Sequence, residues 1–126
     1  MKYLCLVYLD ERKLEAAHAG QGEALSDEEC MAYDETLRQR GYCLASEALQ
    51  PVSTATTVRV RNGHVSITDG PFAETKEQLA GFYLIDARDL NEAIRLASAI
   101  PPARLGSIEV RPIEEALPTA RRYTRA

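Results

Sequence analysis

Strand, helix, strand, inserted hairpin, strand, helix, strand is the order of elements legible along this sequence. It predicts an α+β domain of the split βαβ, ferredoxin-like type with a β-hairpin set into its middle. Three observations carry the prediction. The opening run Lys2 to Tyr8 is apolar on both faces, Asn62-Gly63 stands between two β-rich runs, and two helical stripes each begin on a capping residue.

Residues 2–8 place Tyr3, Cys5 and Val7 on one strand face and Leu4, Leu6 and Tyr8 on the other, so the strand needs cover on both sides. Residues 11–25 are rich in Ala and Gly with weak periodicity and read as a connection. Ser26, with Glu29 three places on, is a capping box, and Cys30, Tyr33 and Leu37 make the apolar stripe of a helix over 27–40 that stops at Gly41. A short strand over 42–48 follows, and Pro51 breaks the chain before a Thr- and Val-rich run over 55–61. Asn62-Gly63 is the two-residue hairpin turn and fixes the register: Arg61 faces His64, Val60 faces Val65, Val58 faces Ile67 and Thr56 faces Asp69. Asp69 therefore ends the face that carries the four aliphatic side chains.

Residues 69–81 break the β pattern with Gly70-Pro71 and read as a charged loop before the strand Phe82 to Ile85. Asp89 and Glu92 repeat the capping signature, and Leu90, Ala93, Ile94 and Ala97 line a helix over 90–100 that ends at Pro101-Pro102. The last strand, 106–113, alternates Ile108 and Val110 with Glu109 and Arg111. The domain is expected over 1–115, with a basic tail over 116–126 that holds Arg121, Arg122 and Arg125.

At 126 residues, 45% of them hydrophobic, the chain has the size of one domain and can bury a core without staples. A net charge of −4 gives no field that would gather nucleic acid or an anionic membrane surface, and neither is expected as a partner. No apolar run approaches the roughly 20 residues of a membrane helix or forms a signal segment, so a cytoplasmic location is expected. The three cysteines, Cys5, Cys30 and Cys43, form no C-x-x-C and suggest neither disulfides nor zinc. No phosphate-binding loop or metal-ligand cluster is legible, and no cofactor or metal is expected.

Both predicted helices fall on one face of the sheet. The other face, apolar on the first strand and on 82–85, would be left bare over a larger area than a monomer tolerates. A homodimer is expected, two sheets packed face to face around a barrel-like cavity whose mouth is lined by the hairpin and the 69–81 loop.

The central segment Thr68-Asp69-Gly70-Pro71-Phe72-Ala73-Glu74-Thr75-Lys76-Glu77-Gln78-Leu79, then Gly81-Phe82-Tyr83-Leu84 and Gly106-Ser107-Ile108-Glu109-Val110-Arg111-Pro112, is distinctive. These residues resemble the DGPF-motif branch of the YCII-related protein family, and the similarity runs from Met1-Lys2-Tyr3 to Pro112. The resemblance implies a dimeric α+β barrel. Some YCII-related proteins are similar to lyases that use a His-Asp pair, which implies cofactor-free acid/base chemistry. DGPF-branch proteins are also encoded beside alternative sigma factors of the extracytoplasmic type, which implies a non-enzymatic regulatory protein with a sigma-factor partner as the alternative.

Asp69 is the first candidate for catalysis, because a carboxylate desolvated beside valines can serve as general acid or base. The competing role is architectural: an aspartate before Gly-Pro commonly accepts backbone N–H bonds and holds a turn. His18, in a Gly-flanked stretch before the first helix, is the second candidate and reaches the cleft only where that stretch folds inward. A small-molecule ligand, whose identity the sequence does not disclose, is expected to meet Gly70, Pro71 and Phe72 of the motif. Glu74 and Lys76 would act as a charged lid. Tyr83 would supply a hydroxyl from an apolar strand. Glu109 and Arg111 stand two apart on one strand face, with the arginine suited to bidentate carboxylate recognition.

Overall fold

The computed structural model describes residues 1–22 and 24–115, and the basic tail lies outside the described residues. Four strands form one antiparallel sheet: β1 (Lys2–Leu9), β2 (Cys43–Ala48), β5 (Gln78–Asp86) and β6 (Ser107–Pro112), in the spatial order β2-β5-β1-β6. β3 (Thr56–Arg61) and β4 (His64–Asp69) form the separate hairpin. Because β1 and β2 both run antiparallel to β5, they are parallel to each other with β5 between them, which is the split βαβ arrangement. The connecting helix is α2 (Asp27–Gln39), and α3 (Leu90–Ser98) makes the matching crossover from β5 to β6.

Alternation on β1 decides where the core lies. Tyr3, Cys5, Val7 and Leu9 are buried, whereas Leu4, Leu6 and Tyr8 are half-buried. The buried set packs with Tyr83 and Ile85 of β5, Leu37 of α2, and Ala93, Ala97 and Ile100 on and after α3. Burial pushes the Cys5 thiol up to about 11, so this cysteine is an inert apolar filler. On the opposite face Leu4 lies across from Leu84 and Arg111, and Leu6 across from Phe82 and Glu109. No described helix covers that face.

The hairpin register is the expected one, pair by pair, from Arg61↔His64 to Thr56↔Asp69. Its turn needs two left-handed residues, and Asn62 (φ 52°) and Gly63 (φ 76°) supply them. The apolar face it presents is open: Val58, Val60, Val65 and Ile67 are each more than half exposed.

Both expected helix starts are present. The Ser26 hydroxyl accepts from the Glu29 N–H at 3.1 Å, and the Asp89 carboxylate accepts from the Glu92 N–H at 2.9 Å. The expected reciprocal half of the first capping box is replaced: the Glu29 carboxylate takes a bidentate hydrogen bond from Arg104 at 2.6 and 2.9 Å instead.

Two readings of the sequence are corrected. Residues 11–18, expected as part of a connection, form the helix α1 (Glu11–His18), started by Asp10, whose carboxylate accepts from the Arg12 N–H at 3.0 Å. The 69–81 loop ends earlier than expected, because β5 begins at Gln78, where Gln78 and Leu79 pair with Leu9 and Tyr8. Glu11 joins three parts of the chain. Its N–H donates to Gln78 Oε1 at 3.0 Å, and its own carboxylate accepts from the Val52 N–H at 3.0 Å, at the base of the hairpin.

Glu92 is the one charged side chain buried among the described residues. It accepts from the Arg88 N–H at 3.0 Å, from Arg88 Nε at 2.9 Å and from Arg95 Nη2 at 3.2 Å. The Arg88 N–H first, then the guanidinium groups, hold its carboxyl below the usual range. A carboxyl lowered by folding contributes stability that is complete above the ordinary carboxylate range and is lost as pH falls through the lowered value. Glu92→Gln is therefore expected to lower the urea midpoint at neutral pH and to flatten its decline on acidification. A variant whose midpoint fell with acid as steeply as wild type would contradict this.

Candidate functional site

An open groove lies on the helix-bearing side of the sheet, between α2 and the strands β2 and β5. Its volume is about 380 Å³, and its far end is closed by α1, Leu25 and Pro102. Its floor is apolar: Val7 and Leu9 come from β1, Ala80 and Gly81 from β5, and Leu14 from α1.

The polar groups come mostly from one stripe of α2. Asp27, Cys30, Asp34 and Arg38 recur at spacings of three and four, which puts them on one helix face, and all four line the groove. Near the middle, the Tyr83 hydroxyl, otherwise buried, donates a hydrogen bond to Asp34 Oδ1. Burial, and then this bond, push the tyrosine well above its ordinary value, so it stays a neutral donor. Burial also raises the Cys30 thiol, with Asp34, Asp27 and Glu29 adding to the effect, which makes it a poor nucleophile. At the α1 end His18 Nε2 stands 4.0 Å from Asp27 Oδ1, and at the opposite end Arg38 Nη2 donates to Ser46 Oγ at 3.2 Å.

Of the residues singled out in the sequence, this groove brings together His18 and Tyr83. His18 sits in the last turn of α1 rather than in a loop. Asp69 ends β4, exposed and away from the groove. Its carboxylate makes no hydrogen bond among the described residues, and the turn after it is held otherwise: the Gly70 N–H donates to the Ala55 carbonyl at 2.7 Å, and the Thr57 hydroxyl to the Gly70 carbonyl at 2.8 Å. The turn-holding role expected of the Asp69 side chain is therefore filled by backbone and Thr57. Nor is Asp69 desolvated in the single chain, because the valines beside it are themselves open.

Gly70 and Pro71 are half-buried, and Phe72 is 80% exposed. Glu74 and Lys76 are exposed and unpaired among the described residues, while their neighbour Glu77 accepts from the Ser107 hydroxyl at 2.7 Å. Glu109 and Arg111 form an ion pair of 2.6 Å on the bare sheet face, beside Leu6 and Leu4. Among the described residues no group of three His, Cys, Asp or Glu side chains is arranged to hold a metal ion, and no helix is long and apolar enough to cross a membrane.

Asp34 and Arg38 were not singled out from the sequence. The available signal was a polar residue at position 34, inside the helical turn between Tyr33 and Leu37, together with a tyrosine in an apolar strand that needs a partner once buried.

A family model described as YCII-related domain matches residues 1–116. A curated relative, "Uncharacterized protein R00369" of Rhizobium meliloti (strain 1021), is 39% identical over 120 residues, which cover 90% of this chain and 92% of the relative. Among solved structures, the divalent cation tolerance protein (Cut A1) from Thermus thermophilus aligns with a TM-score of 0.40 at 15% identity, over 93% of this chain and 88% of that one.

Proposed function

The chain belongs to the YCII-related family, and we propose that it is a homodimer whose subunits each bind a small organic molecule in the groove along α2, with proton transfer as the chemistry within reach. The observation that carries this reading is a 380 Å³ space with an apolar floor into which the Tyr83–Asp34 pair is built. Ligand sites of this size are mostly apolar with a few convergent polar groups. The Tyr83 hydroxyl spends its proton on Asp34, so its oxygen can still accept from a ligand. The second oxygen of Asp34 can accept a ligand N–H or O–H, or take a proton from it. His18 at the rim is a further group able to exchange a proton with a ligand. This is cofactor-free acid/base chemistry of the lyase-like kind.

Two apolar surfaces support the dimer: the bare sheet face with Leu4, Leu6, Phe82 and Leu84, and the hairpin face with its open valines and Ile67. A second reading of the site places it at the motif that starts on Asp69. The observation in its favour is the unpartnered Asp69 carboxylate, which ends the hairpin's apolar face and would lose its water once a second chain covered that face. Gly70, Pro71 and Phe72 would then border the ligand.

A thermal-shift screen of metabolites on wild type, Asp34→Asn and Asp69→Asn separates these readings. A ligand at 100 times its Kd adds about 2.7 kcal/mol to the stability of its site's host. The expected result is a stabilising compound whose effect is lost in Asp34→Asn and kept in Asp69→Asn. The reverse pattern moves the site to the hairpin. A screen without any stabilising compound overturns ligand binding and leaves the regulatory role beside a sigma factor as the reading to pursue.

A further inference from the structure

Arg38 stands in the last turn of α2, one turn beyond Asp34 on the same face of the helix. Residues so placed commonly pair, but these two do not. Asp34 is turned to the Tyr83 hydroxyl, and Arg38 meets only the neutral Ser46 hydroxyl at 3.2 Å, with no carboxylate in ion-pair range among the described residues. Arg88 and Arg95 pair with Glu92, Arg104 with Glu29, and Arg111 with Glu109, whereas Arg40, Arg59 and Arg61, like Arg38, have no carboxylate in ion-pair range among the described residues; of these four, Arg38 is the one that lines the groove. A guanidinium has five donors in a planar fork matched to carboxylate, and at Arg38 most of that fork is open to solvent at the groove's edge and free to meet a ligand.

The groove is long as well as apolar. From Asp27 to Arg38 the helix advances about 16 Å at 1.5 Å per residue. The polar pair His18–Asp27 lies at one end, the Tyr83–Asp34 pair in between, and the guanidinium at the other. One oxygen of Asp34 is engaged by the Tyr83 hydroxyl, so the guanidinium one turn on is the cationic group of a groove otherwise lined by the acids Asp27, Asp34 and Glu47.

Resting on the reading that this groove is the ligand site, we propose that its ligands are elongated carboxylic acids with an apolar body. Arg38 holds the carboxylate bidentately in place of its bond to Ser46, and the apolar body lies over Val7, Leu9 and Ala80. Arg38 is then the residue that selects acid over neutral analogue.

The test is a titration of hexanoate and phenylacetate into the full chain, with hexanamide and phenylacetamide as uncharged controls of the same shape, followed on backbone amide resonances. The acids are expected to move the resonances of Asp34, Ala80 and Gly81, and the amides to bind about tenfold more weakly or worse. Arg38→Gln is expected to bring the acids down to the level of the amides, and Arg38→Lys to restore part of the difference, since it keeps charge but not the fork. Arg38 is exposed and makes a single hydrogen bond to a side chain, so both variants should melt close to wild type. Acids and amides of equal affinity, or an Arg38→Gln variant that binds acids unchanged, overturn the carboxylate assignment while the groove remains a ligand site. Failure of the groove itself reads differently: neither acids nor amides move the groove resonances, and that result overturns both.

Discussion

Gly106→Ala is expected to cost about 3 kcal/mol or more and to leave a sheet that is partly or wholly unfolded. Gly106 precedes β6, and a Cβ built there would lie 2.0 Å from the Tyr8 carbonyl oxygen, 3.0 Å from its carbon and 3.1 Å from Leu9 Cδ2. The nearest obstacles are backbone atoms of the central strand, held in register with β5 and β6 on either side, so no side chain can swing away to make room. The φ of Gly106 is not left-handed, so the requirement for glycine is steric alone. Urea titration checks this. A midpoint within experimental error of wild type would show that β6 can move off β1 at no cost.

Leu6→Asp and Val65→Asp, made separately, are each expected to convert a species of twice the 14.0 kDa chain mass into single chains in sedimentation velocity. Leu6 lies on the bare sheet face and Val65 on the open hairpin face, so neither carboxylate is forced into the core of its own subunit. Burying a leucine or valine side chain contributes about 1.5–3 kcal/mol, and an aspartate in its place adds an unpaired charge to the interface. Each symmetric interface feels the change twice. The combined loss corresponds to weakening by about a hundredfold at least. Glu35→Ala, on the exposed part of α2, is the control and should leave the association unchanged. Wild-type protein that sediments as a single chain at micromolar concentration would remove the dimer from the proposed function.

The parts of the fold that were legible are those whose cause is local. Asn62-Gly63 sets a hairpin through the dihedral angles of two residues, and every pair from 61/64 to 56/69 follows by counting. Ser26 and Asp89 announce helices through hydrogen bonds that reach only three residues. What stayed hidden depends on distant partners. α1 has no fully buried residue and little pattern of its own, and its first residue is secured by Gln78 and Val52. The first residues of β5 look like loop until the central strand pairs with them.

The same division runs through the candidate site. Tyr83 could be suspected because a buried hydroxyl must bond to something, but its partner Asp34 is 49 residues away in sequence. The open fork of Arg38 is a matter of which carboxylates fail to reach it, and no spacing rule reports that.

β1 lies at the centre of the sheet, yet its partners are residues 78–86 and 107–112. On a ribosome the most apolar strand of the domain is therefore made long before either neighbour exists, and its backbone N–H and C=O groups can be satisfied only by water or by another chain until β5 follows. The domain must close these long loops before the strand gains any shelter, which slows folding relative to a domain built from local contacts. During synthesis that segment is the natural place for a chaperone to hold, and at high expression it is where growing chains would first adhere to one another.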